Sequence, residues 1–137
     1  LLDDYEEGTF TATLYTSTSG GFNLGSDLLS YTKIGNLVTL RGRIAVNSDA
    51  SPSGQIRCPL PFTPATPAEQ SDAYYNNSIV YNDHTGEDRD RHHGWINGGE
   101  AMLSSYWATN AGAISSMTAG EVDASWSINI MLQFITG

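Results

Sequence analysis

The sequence predicts an all-β fold, an antiparallel β-sandwich (jelly-roll-like) or barrel, on three observations. Apolar residues recur at every second position in several segments, and clusters of Gly, Ser, Asn and Pro punctuate those segments roughly every eight to twelve residues. Helical periodicity is scarce, and neither the strand–helix–strand spacing of a parallel sheet nor an internal repeat is present. With 137 residues, 39% of them hydrophobic and 15% charged, the chain is too apolar for disorder and suffices for one core.

The first alternation, Thr9 to Tyr15, sets Phe10, Ala12 and Leu14 against Thr9, Thr11, Thr13 and Tyr15, and its β-branched threonines favour extended backbone. The loop composition of 16–21 ends it. Tyr31 to Ile34 then leads through Gly35-Asn36, a hairpin dipeptide, into the most regular alternation of the chain, Leu37 to Val46. There Val38, Leu40, Ile44 and Val46 share a face with Gly42, whose missing side chain predicts a close neighbour or a bulge. Leu37, Thr39, Arg41, Arg43 and Ala45 take the other face. A turn at 48–54 and a short strand near Gln55 to Leu60 follow. Pro59, Pro61, Pro64 and Pro67 then confine residues 61–71 to a loop or sheet edge.

Residues 73–81, 93–97 and 101–109 are further strand candidates rich in Tyr and Trp, with 82–93 the longest charged loop. The Ala, Gly and Ser composition of 109–120 predicts a loop or one helical turn. Trp126, Ile128, Ile130, Leu132 and Phe134 alternate with polar neighbours in a long closing strand, which assigns Trp126 to the core.

Charge narrows the partners. Fifteen acidic against six basic residues give a formal net charge of −9, so a nucleic-acid backbone would be repelled. No apolar run is long enough to span a membrane, so membrane insertion is not expected, and the opening residues lack the plan of a signal peptide. A chain opening at Leu1 is expected to be a piece of a longer protein. The lone Cys58 has no disulfide or zinc partner, so stability has to come from burial or from association of chains.

No nucleophile elbow, phosphate loop or zinc-hydrolase motif occurs, so enzymatic activity is not expected. The segment Asp83 to His93 is dense in carboxylates and imidazoles, yet it fits no standard site: its glycine falls at the wrong offset for a calcium loop, and a strand would point His92 and His93 apart. Neither a metal nor a cofactor is expected. The carboxylates Asp3-Asp4 and Glu6-Glu7 are sequence neighbours and lack the separation of a glycosidase pair. They read instead as an acidic entry segment held by the basic stretch of the chain. Asp4, Tyr5 and Glu6 are assigned to packing with Arg41 and Arg43, of the same chain or of a neighbouring one.

Exposed aromatics are the strongest functional signal, because sugars are bound by ring faces flanked by polar side chains. Trp95, Trp107, Tyr106, Tyr75, Tyr74 and His93 are the candidate glycan-binding residues. Tyr106 and Trp107 must face opposite ways on a strand, so at least one of them is open to solvent.

The residues Asp4-Tyr5-Glu6-Glu7-Gly8-Thr9, then Tyr31-Thr32-Lys33-Ile34-Gly35-Asn36-Leu37-Val38-Thr39-Leu40, then Leu60-Pro61-Phe62, resemble the C-terminal domain of bacteriophage tail fibres and tailspikes. Phe10 stands where that family usually has Trp, and Ala12 where it has Pro. The resemblance covers the first 62 residues and implies a trimeric β-sandwich head at a fibre tip, concerned with trimer assembly and with binding host polysaccharide or lipopolysaccharide outside the cell. It makes residues 1–8 a linker from a preceding stalk and 9–137 the head, carried on the virion. The other reading it allows is a purely structural trimerisation cap, with recognition or glycan cleavage upstream.

Overall fold

The computed structural model describes residues 4–66, 74–84, 91–108 and 111–137, with the side chains of 74–78, 83 and 84 excepted. Among these residues there are eleven strands. They are β1 (Tyr5–Thr11), β2 (Tyr15–Thr16), β3 (Phe22–Ser26), β4 (Leu28–Ile34), β5 (Leu37–Asp49), β6 (Ile56–Pro59), β7 (Tyr74–His84), β8 (Arg91–Asn97), β9 (Met102–Ala108), β10 (Ile114–Ser116) and β11 (Val122–Ile135). A single 3-10 turn at Ala119–Glu121 precedes the last.

Every pairing is antiparallel, and the strands follow one path, β1-β4-β5-β11-β7-β8-β9-β6-β2, with β3 added to β5 and β10 to β9. The two ends of that path are neighbours in sequence, since only Ala12, Thr13 and Leu14 separate β1 from β2. So short a connection reaches on the order of 14 Å, which obliges the sheet to curl until its first and last strands approach. Ala12 and Leu14 are buried at that closure. The curled sheet faces itself across one core: Leu29, Val38, Leu40, Ile44, Leu132 and Phe134 from one half meet Ile56, Cys58, Ile96 and Leu103 from the other. The sandwich expected from the sequence is thus realised by one sheet folded on itself.

The alternation of Leu37 to Val46 is reproduced residue for residue. β5 is long enough to serve two partners along one edge, β4 at Leu37 to Arg41 and β3 at Ala45 to Asp49. The chain passes between them at Asp27, whose carbonyl accepts a hydrogen bond from the Ala12 amide at 2.7 Å. Gly42 sits at this junction with φ 148°, and a Cβ there would come within 2.7 Å of Leu29 Cδ2. The gap on the apolar face is therefore filled by Leu29, which is fully buried. Gly35, at φ 55°, makes the β4–β5 hairpin as its dipeptide predicts.

Several boundaries differ from the expectation. The first strand begins at Tyr5, so residues 5–8, expected in the linker, pair with β4, and the strand ends at Thr11 where the chain leaves to cross the fold. β3 and the start of β4 lie in a stretch without clean alternation, where partners on β5 for β3 and on β1 for β4, with the packing of Leu29, decide the conformation. The charged loop shrinks, because β7 runs to His84 and β8 starts at Arg91. Residues 85–90, its centre, lie outside the described residues.

Candidate functional site

β8 and β9 place Ile96 opposite Leu103, both fully buried, and so define the inner face. Alternation sends Trp95, His93, Ser104 and Tyr106 to the outer face. The rings of Trp95 and Tyr106 meet diagonally across the two strands with centroids 4.4 Å apart and planes inclined at 34°. His93 lies opposite Tyr106 on one side, and Ser116 of β10 opposite it on the other. Beyond Ser104 stands Arg57 of β6. Its guanidinium points at the Gln55 Oε1 at 3.4 Å, and the Gln55 amide is itself anchored by donating to the Ser105 carbonyl at 3.0 Å. A half-buried aromatic pair flanked by imidazole, guanidinium and hydroxyl groups can stack on the C–H face of a sugar while hydrogen-bonding its hydroxyls.

The opposite orientation of Tyr106 and Trp107 holds, and its consequence is that Trp107 leaves the site. Trp107 pairs with His92 on the inner face and packs against the core. His92 and His93 point apart for the same reason. The His92 ring lies 5.2 Å from Tyr81, whose amide donates to His92 Nδ1 at 3.3 Å. Tyr81 also stacks on the buried Trp126 and donates its hydroxyl to Ser105 at 2.6 Å. Burial raises the Tyr81 phenol well above its ordinary range, and it pushes the Cys58 thiol up to about 12. These groups are structural.

Tyr74 and Tyr75 pair through their backbones with Asn97 and Ile96, next to the aromatic pair, but their side chains lie outside the described residues. Arg57, Ser104 and Ser116 escaped the sequence reading because only strand order brings them beside Trp95 and Tyr106. Among the described residues, no group of three or more His, Cys, Asp or Glu side chains could hold a metal ion.

Within one chain, backbone and tyrosines hold the acidic entry segment. Backbone pairing with β4 fixes it, and the Asp4 carbonyl accepts from the Gly35 amide at 2.9 Å. Among the described residues, the side-chain hydrogen bonds that reach its carboxylates come from tyrosines: Tyr31 donates to Glu6 at 2.6 Å and Tyr5 to Glu7 at 2.7 Å. Each bond raises its phenol's pKa, since ionisation would bring like charges together. Arg41 borders a groove of about 370 Å³ with Glu7, Thr9, Ser30 and Thr32. Arg43 stands two residues further along β5, opposite Asn129.

No family model and no curated protein matches the sequence. Among solved structures, the crystal structure of the Dettilon tailspike protein is similar over 96% of this chain, with a TM-score of 0.68 and 19% sequence identity. The chain spans 23% of that protein's length. Nearly its whole length therefore has the fold of part of a phage tailspike protein.

Proposed function

We propose that this chain is the head domain of a phage tail fibre or tailspike, which assembles as a homotrimer and binds a polysaccharide or lipopolysaccharide of the host surface. The observation that carries the binding part is the Trp95–Tyr106 pair on the outer face, with His93, Arg57, Ser104 and Ser116 around it. The tailspike fold and the resemblance of the opening residues support the setting. A chain of net charge −9 is not steered toward an anionic cell surface, so contact depends on stacking, hydrogen bonds and the avidity of several heads. In this reading the domain binds its glycan without cleaving it, and the virion tip is its place of action.

The test is calorimetric titration of the chain with purified lipopolysaccharides and capsular polysaccharides from a panel of bacterial strains. Saturable binding to at least one is expected. Trp95→Ala and Tyr106→Ala should each weaken it about tenfold or more at unchanged melting temperature. Equal binding by both variants would overturn the site, and absence of binding across the panel would favour the purely structural cap.

A further inference from the structure

The outer aromatic pair borders a cation that its surroundings orient without neutralising. The register sets Tyr15, Arg57, Ser104 and Trp95 in one row of the outer face, across β2, β6, β9 and β8. Arg57 and Trp95 thus stand two strand spacings apart, about 10 Å between backbones, with the short side chain of Ser104 between them. This makes a shallow trough with a hydroxyl at its floor, the indole of Trp95 on one side and Arg57 on the other. Tyr106, two residues along β9, borders one end against Trp95. Met102, two residues the other way and bonded by the Tyr15 hydroxyl at 2.9 Å, borders the other end.

The hydrogen bonding around Arg57 decides what this trough can take. The Gln55 side chain is 8% exposed, and its amide nitrogen donates to the Ser105 carbonyl at 3.0 Å, which fixes the position of its oxygen. Nε and Nη2 of Arg57 both face that oxygen at 3.4 Å. The anchor draws the guanidinium along β6 toward Ser105, the residue between Ser104 and Tyr106, and so toward the aromatic pair. A contact of this length with a neutral oxygen orients a guanidinium but offsets little of its charge. Among the described residues no carboxylate pairs with it, in a chain of fifteen acidic and six basic residues. Where a carboxylate partner is so readily supplied, a positioned arginine without one has the properties of an anion receptor.

We infer that the Trp95–Tyr106 site takes an acidic sugar, a pyranose ring bearing a carboxylate or phosphate, with the C–H face of the ring on the aromatic pair and its oxyanion on the Arg57 guanidinium. The inference rests on the glycan-binding reading proposed above and names its ligand class. A free inorganic anion gains nothing from the aromatic rings, and a neutral sugar leaves the guanidinium without a charged acceptor. An acidic sugar engages both, and the guanidinium fork can meet two oxygens of one anionic group. The net charge of −9 does not prevent the contact, because repulsion from distant carboxylates is screened over about 8 Å at physiological ionic strength while the pairing acts at hydrogen-bond distance.

Calorimetric titration with two pairs of polymers tests it: a glucuronate-containing capsular polysaccharide beside the same polymer with its carboxyl groups reduced to alcohols, and a polysaccharide with phosphate side groups beside its dephosphorylated form. Each pair differs in charge alone, and the two pairs separate a carboxylate from a phosphate. In at least one pair the charged form should bind about tenfold or more tighter than the uncharged form. Arg57→Gln should abolish that preference at unchanged melting temperature, while weak binding through the rings persists. Arg57→Lys, which keeps the charge and loses the fork, should retain part of it. Equal binding of charged and uncharged forms by the wild type, with Trp95→Ala weakening both, would overturn the acidic class and leave the aromatic site standing. A preference kept in full by Arg57→Gln would overturn the assignment of the anion to Arg57. Absence of binding to all four polymers, or binding that Trp95→Ala leaves unchanged, would remove the glycan site itself and the inference with it.

Discussion

Tyr31 lies over Gly8 so closely that a Cβ at Gly8 would stand 2.8 Å from the Tyr31 hydroxyl oxygen and 2.9 Å from its ring carbon Cζ. The two are opposite each other in the β1–β4 pairing. The same ring meets Phe62 edge-on at 5.1 Å and donates its hydroxyl to Glu6. The three segments that carry the resemblance to tail-fibre domains, Asp4 to Thr9, Tyr31 to Leu40 and Leu60 to Phe62, therefore meet at one side chain. A bare glycine, a tyrosine laid over it and an aromatic from the proline loop form a packing unit that ties the edge strand to the fold.

Gly8→Ala should accordingly destabilise the chain by about 1–2 kcal/mol, because the ring has to lift from both Phe62 and Glu6. In a Tyr31→Ala background the same substitution should cost far less, since the steric conflict is gone. Urea midpoints of the four proteins check the coupling, and additive effects would show that the ring can move freely.

Trp107→Ala should behave as a core truncation, with a loss of about 2–4 kcal/mol, since Trp107 packs against the buried cluster. Glycan affinity of the fraction that stays folded should be unchanged. Thermal melting beside titration separates the two roles. A stable Trp107→Ala variant that has lost binding would return Trp107 to the site.

Alkaline pH should unfold the chain earlier than exposed phenols and thiols would require. Burial lifts the Cys58 thiol from 9.0 to about 12, and it lifts the Tyr81 phenol above its ordinary 10.0. The folded state therefore holds more protons than the unfolded state above pH 9. Stability is complete below that value and declines as pH rises through the interval between the unfolded and folded values. Melting temperature measured from pH 7 to 11 should be flat at first and fall from about pH 9, and Cys58→Ala should flatten the onset. A constant melting temperature to pH 11 would contradict the burial of these groups.

How much the sequence discloses differs from element to element. Leu37 to Val46 and Trp126 to Phe134 are legible because each buries one face, so a period of two is written directly into the residue types. Gly42 was readable as a close approach, although only the fold identifies Leu29 as the neighbour. Phe22 to Ser26 and Leu28 to Ser30 are not readable, because their conformation is imposed by long-range pairing, the first with β5 and the second with β1, Ser30 reaching β5 as well. In the site, alternation alone separates Trp95 and Tyr106 from Trp107 once Ile96 and Leu103 are known to face inward. The contribution of Arg57 depends on β6 lying beside β9, a long-range pairing that no local pattern encodes.

Tryptophan emission during titration with a polysaccharide that the chain binds tests the central claim most directly. Trp126 is buried and Trp107 packs on the core, which leaves Trp95 as the tryptophan of the outer aromatic pair. The spectral response should vanish in Trp95→Phe and persist in Trp107→Phe and Trp126→Phe. A response that survives in Trp95→Phe, or disappears only in Trp107→Phe, would contradict a glycan site built on Trp95 and Tyr106.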